Sequence, residues 1–181
     1  FDAAVKENPL DALALFAPVG QSSDSLINFS GSTDDTVVGE YQVNITQLAT
    51  RAEFTGNSVL GFPLTIDADN DELAITVDGI STGTISFTQG DYATGDGLAA
   101  EIQLQINSSI LLQDAGKTVA VTFDSTNNRL VLNSTTYGSE SNIVISSVDT
   151  NTALQLGLTA ASGVQGLDVV GTIGGIAGTG E

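Results

Sequence analysis

Histidine, cysteine, methionine and tryptophan are all absent from this 181-residue chain, and only four side chains are basic. Those absences exclude proton relays through imidazole, thiol nucleophiles, disulfides, zinc sites of His or Cys, and the usual haem ligands. Lys6, Arg51, Lys117 and Arg129 stand against 22 acids, for a formal net charge of −18. Four scattered cations make no basic patch, and the field of the chain repels phosphates. Neither nucleic acid nor a membrane is therefore expected as a partner. No apolar run approaches the ~20 residues that a membrane-spanning helix needs. The opening residues Phe1–Glu7 carry neither a basic leader nor a long apolar stretch, so no signal peptide is expected. The lack of an initiator Met reads as a piece of a longer protein. The lack of Cys suits life outside the cell but fixes no compartment.

What is present is a folded chain's composition, 41% apolar and 14% charged. Residues 1–19 read as helical turns broken at Asn8-Pro9 and ended by Pro18 and Gly20. Strands follow. Leu26–Phe29 comes after a Ser-rich loop. Gly39–Leu48 alternates Tyr41, Val43 and Ile45 with Gln42, Asn44 and Thr46. Leu64–Ile66, Leu73–Val77 and Thr84–Phe87 keep the period of two, with Asp78-Gly79 as a hairpin turn. One longer helix interrupts them: Leu98, Ile102, Ile106 and Ile110 fall four apart, with Asp96 at the cap and Glu101, Gln103 and Gln105 facing outward. Thr118–Phe123, Arg129–Leu132 and Asn142–Ser147 are three more strands, Ala153–Leu156 a short turn, and Leu167–Ile173 a last strand. Gly175–Gly180 reads as a flexible connector. Tyr41, Phe54, Phe87 and Phe123 are expected in the core. The fold class is α+β, mostly antiparallel β with one main helix, in a two-lobed β-rich head.

Chemistry is sparse. Asp67, Asp69 and Asp71 alternate as the first ligands of a calcium loop do, and form a weak candidate calcium site. Glu72 stands where that loop wants Gly, and Asp78 where it wants Glu, so an acidic turn between Ile66 and Leu73 is the plainer reading. A calcium-stiffened extracellular adhesin domain is the function that loop would imply. Among 22 acids no pair is singled out for glycoside hydrolysis, and 7 Phe and 3 Tyr give few rings to stack on a sugar. Lys6 and Lys117 sit in no Ser-x-x-Lys pattern. No catalytic residue and no cofactor is assigned, and the chain is read as no enzyme.

Three segments resemble one family. Gly39–Ala49, reading Gly-Glu-Tyr-Gln-Val-Asn-Ile-Thr-Gln-Leu-Ala, resembles the Gly-x-Tyr-x-Val-x-Val-Thr-Gln-Leu-Ala strand that opens the head of bacterial flagellar filament cap proteins. Asp124–Ser141, with Leu156-Gly157-Leu158 after it, looks like the insertion motif shared by hook-associated proteins and flagellins. Leu167–Gly180 is similar to the Asp-Val-Ala-Gly-Thr-Ile-x-Gly stretch of many cap proteins. The matches run in family order over roughly residues 22–181 and lack the family's long helical legs, of which 1–19 would be a remnant.

The resemblance implies a structural protein, not an enzyme: the head of a ring at the filament tip that promotes flagellin polymerisation and prevents subunit loss. It implies copies of itself and flagellin as partners, host surface glycans or mucin as a further one, and an extracellular place at the flagellum tip. It also implies a lobe of 20–60 with 163–181, into which 61–162 is inserted as an α+β lobe. A flagellin variable domain is the rival within the same machine; the Tyr41–Ala49 strand argues against it. Repulsion between copies carrying −18 each is expected to oppose assembly of isolated heads at low salt.

Overall fold

The structure, a computed structural model, describes residues 20–25, 27–32 and 35–180. The helical turns expected over 1–19 lie outside the described residues. The chain divides into two compact units, Phe1–Tyr41 and Gln42–Glu181.

In the first unit the described residues form turns and extended segments. The strand expected at Leu26–Phe29 is not formed over Ile27–Phe29. Ile27 N instead donates to Asp24 O at 3.2 Å, a local turn that satisfies the donor without a partner strand. Tyr41 is half exposed rather than in the core. Its hydroxyl donates to Val37 O at 2.6 Å, which gives the polar end of the ring a partner at the surface.

The second unit is α+β and mostly antiparallel. Its strands are β1 (Val43–Gln47), β2 (Arg51–Thr55), β3 (Leu64–Ile66), β4 (Glu72–Val77), β5 (Ile80–Ser86) and β6 (Gly90–Tyr92). Two helices follow, α1 (Gly95–Asn107) and α2 (Ile110–Asp114). Then come β7 (Val119–Asp124), β8 (Arg129–Tyr137), β9 (Ile143–Val148), the short helix α3 (Thr152–Gln155), β10 (Ala161–Ser162), β11 (Val169–Ile173) and β12 (Ile176–Gly180). The sheets run β10-β9-β4-β5, β2-β8-β7, β3-β6 and β1-β11-β12.

The core follows from the periodicities. β2 and β8 alternate exposed or half-buried residues with buried ones, so Ala52, Phe54, Leu130 and Leu132 face inward. β4 lies between β9 and β5 in its sheet, so both its edges are paired, and its Leu73, Ile75 and Val77 meet Ile143 and Ile145 of β9 in the core. Helix α1 lays Leu98, Ala99, Ile102 and Ile106 onto the same cluster. Each such aliphatic side chain contributes about 1.5–3 kcal/mol relative to exposure.

Three expectations for the helix change. Its cap is Thr94, whose Oγ1 accepts from Gly97 N at 3.2 Å, while Asp96 sits in the first turn. Ile110 is not the fourth residue of the stripe: α1 ends at Asn107, Ile110 opens α2 and is exposed, and Leu112 is buried instead. Gln103, expected to face outward, is half-buried, and its Oε1 accepts from Val121 N of β7 at 2.9 Å. The Gly-rich tail also differs from the expected connector. Gly174 and Gly175 both have positive φ, 59° and 83°, the backbone of a two-residue hairpin turn, and the chain returns as β12 against β11. The Asp78-Gly79 turn between β4 and β5 is built in the same way, with φ of 49° and 82°.

Candidate functional site

The segments that carry the family resemblance come together at one junction. β1 of the first segment pairs antiparallel with β11 of the third, setting Val43 opposite Ile173, Asn44 opposite Thr172 and Ile45 opposite Gly171. Thr46 Oγ1 donates to Val170 O at 3.1 Å, and Gln47 Nε2 to Asp168 O at 2.8 Å. A side chain at Gly171 would run into the Asn44 carbonyl and Ile45, so the close approach of the two strands requires glycine there.

The second segment joins just beyond. Asp168 accepts from both Ser139 N at 2.5 Å and Ser139 Oγ at 2.9 Å, a short carboxylate clamp on the loop after β8. Thr50 bonds to both neighbours: its N–H donates to Leu167 O at 2.8 Å, its Oγ1 accepts from Leu167 N at 2.9 Å, and its carbonyl accepts from Gly138 N at 3.0 Å. Ser141 Oγ accepts from the buried Ala52 N at 2.8 Å, and Ser141 O from Gly166 N at 3.0 Å. The Arg51 guanidinium lies 4.3 Å from the centre of the Tyr137 ring, a cation–π contact at the outer side of the same junction. Sequence periodicity could not pick out Thr50, Ser139, Ser141 or Asp168, because they lie between elements. The available signal was that all four belong to, or adjoin, the resembling segments.

The acidic loop is tied by hydrogen bonds to its own backbone and to Gln89. Asp67 Oδ1 accepts from Asp69 N at 2.9 Å, and Asp71 Oδ2 accepts from Gln89 Nε2 at 2.7 Å. The loop is held from within by Asn70, which is fully buried. Asn70 Oδ1 accepts from Asp67 N at 2.8 Å, while its Nδ2 donates to Thr65 O and to Gln155 Oε1. Asp67 thus closes an Asx-type turn onto Asp69. Among the described residues no group of three or more acidic side chains is arranged to hold a metal ion.

Two other carboxylates fasten elements together. Asp78, almost wholly buried at the β4–β5 turn, accepts from Ser134 Oγ at 2.9 Å and Asn142 N at 3.0 Å, with Lys117 Nζ at 3.7 Å. Glu101 Oε1 accepts from Thr88 N at 2.7 Å and Gln105 Nε2 at 2.9 Å. Partial burial pushes the Glu101 carboxyl up, but bonds from Thr88 and Gln105 outweigh it and the net pKa is lowered. Burial, then the Glu101 charge, raises the nearby Tyr92. The exposed Asp124 is lowered chiefly by Asn127. Asp78 and Asp124 lie at turns, whereas Glu101 reaches from the middle of α1 to the Thr88 backbone.

No family model matches the chain, and no curated protein matches it. Among solved structures, the chain is similar to the D1-D2-D3 domains of the flagellar cap protein FliD from Escherichia coli. Identity is 18% and the TM-score 0.53, over 80% of this chain and 41% of that one. FliD (HAP2) from Pseudomonas aeruginosa PAO1 aligns at 22% identity and a TM-score of 0.48, over 82% of this chain and 69% of that one. The chain spans less than half of the Escherichia coli structure. The fold of this chain is similar to that of a flagellar cap protein, the family its sequence segments resemble.

Proposed function

We propose that this chain is head material of a bacterial flagellar filament cap, a structural subunit at the filament tip that helps flagellin polymerise and keeps subunits from escaping. The observation that carries the reading is the pairing of β1 with β11. Two segments that resemble the same family, about 120 residues apart, are hydrogen-bonded strand to strand, and a third is clamped to them through Asp168 and Ser139. Chance resemblances would not be expected to meet in space. The fold likeness to the Escherichia coli cap protein supports the same reading.

In this role the chain works without catalysis. Copies of itself in a ring and flagellin are its proposed partners, with host surface glycans or mucin as a further one, and its place is extracellular. A surface carrying −18 suits a plate past which subunits must move without sticking. Immunogold electron microscopy with antibody against this chain tests the proposal: gold confined to filament tips is expected. Gold along the shaft would mean a flagellin domain. Gold on the cell body alone would favour the adhesin reading, and calorimetric titration with calcium would then examine the Asp67–Asp71 loop.

A further inference from the structure

A groove of about 430 Å³ runs between the loop that leads from β2 to β3 and the short helix α3. Val59, Pro63 and Leu64 line it from the loop side and Leu154 and Gln155 from α3, while Asp67, just past β3, adds a carboxylate. Hydrogen bonds fix both walls. Ser58 Oγ donates to Ala153 O at 3.4 Å, and Asn57 N to Gly157 O at 3.0 Å. On the acidic side Asn151 N donates to Asp69 O at 2.8 Å, and the buried Asn70 donates to Gln155 Oε1. A Cβ at Gly157, where φ is 70°, would stand 2.6 Å from Ser58 N, so the loop and the chain after α3 approach as closely as backbone allows. The groove is therefore formed before anything enters it.

Two kinds of group in it are left unused by the fold. Val59 and Leu154 are exposed by 79% and 77%, whereas Leu60 and Leu156, close to them in the chain, are buried in the core. Asp67 and Asp69 are exposed as well. Asp67 Oδ1 accepts from Asp69 N, but among the described residues nothing bonds to Asp67 Oδ2 or to the Asp69 carboxylate. Among the described residues no cation lines the groove; Arg129 lines the adjoining hollow beyond Val59, with the Asp124 charge near it.

We propose that this groove docks a segment of another protein in which aliphatic and basic side chains stand next to each other. The aliphatic side chains cover Val59 and Leu154, and a lysine or arginine reaches Asp67 and Asp69. Charge selects that occupant. A chain of net charge −18 draws a basic segment in and turns an acidic one away. It turns away a second copy too, whose Arg51 and Lys117 are engaged with Tyr137 and Asp78. The docking rests on the groove alone and stands whether or not the cap reading does.

Titration of the whole chain with a synthetic peptide carrying two leucines followed by two lysines tests it, read by amide chemical shifts. Shifts are expected to move at residues 57–69 and 151–157 and to stay still on β7. Peptides with glutamate in place of lysine, or serine in place of leucine, should bind about tenfold more weakly. Leu154→Ser and Asp67→Asn, the second of which keeps an oxygen for Asp69 N, should each weaken the leucine–lysine peptide by roughly fivefold or more. Asp114→Asn makes the same change of charge on α2 and should leave the affinity within about twofold at about 0.15 M salt, where the screening length is roughly 8 Å. The proposal is overturned if the peptide moves no shifts, or moves them all over the molecule. It is overturned equally if Asp114→Asn weakens binding as much as Asp67→Asn, which would leave net charge as the whole attraction, or if Leu154→Ser leaves binding unchanged. Should Leu154→Ser melt early, Val59→Ser takes its place, and unchanged binding there has the same force.

Discussion

Gly166 shows how little room the junction leaves. A methyl group there would meet the carbonyls of both Gly138 and Thr50, backbone atoms fixed by their own hydrogen bonds. Gly166→Ala should therefore cost about 1–3 kcal/mol, as overpacking does when rigid neighbours cannot yield. Urea unfolding would show it as a lowered midpoint at unchanged slope. Glu101 makes the opposite kind of case, a residue whose contribution depends on its charge. Its pKa is lowered in the fold, so its contribution is complete above the unfolded value near pH 4.3 and disappears as pH falls through the folded value. Glu101→Gln should lower the melting temperature at pH 6, with the gap to the unmodified chain closing toward pH 3. A gap that stays constant with pH would mean that packing, not the carboxylate, makes the difference.

At the scale of elements, α1 serves two ends. One face fills the core, and the residues beside that face, Gln103 and Asn107, act as a substitute strand along the open side of β7. Asn107→Ala would leave Val119 N–H and C=O without those bonds, a loss of about 1–3 kcal/mol, and urea unfolding would measure it. The apolar stripe of α1 was legible because a period near four over Leu98, Ile102 and Ile106 has one simple explanation. Its end was not, since Ile110 continues the spacing although the helix stops at Asn107, whose side chain bonds β7. β12 was missed for a related reason. Five small and apolar residues after two glycines carry no alternation, and only the positive φ at Gly174 and Gly175 turns them back onto β11. The junction was legible through resemblance alone, because loop residues bonded across 29 to 117 positions leave no periodic trace.

For the whole molecule the two-lobe division, 20–60 with 163–181 around an inserted 61–162, remains our proposal. β1, β11 and β12 contribute nothing to the main core, whereas Ala52 and Phe54 of β2 belong to it. A three-stranded sheet with one uncovered apolar face should open more readily than β4, β8 and β9. Amide exchange should accordingly be faster in Asn44 and Thr172 than in Ile75 and Leu132.

Charge acts on this molecule as a unit. With 22 acids and four bases, repulsion is spread over the surface and few pairs offset it; Lys117 with Asp78 is one ion pair among the described residues. Repulsion between exposed charges is strong where the screening length is about 30 Å, near 0.01 M salt, and nearly gone at roughly 3 Å, near 1 M. The melting temperature should therefore climb as sodium chloride is raised between those limits. The Lys117–Asp78 pair opposes that trend only weakly, because the Asp78 carboxylate is buried and poorly reached by ions. A flat or falling melting temperature would show that the 22 acids are already neutralised locally, by hydrogen-bond donors such as those around Asp78, Glu101 and Asp168.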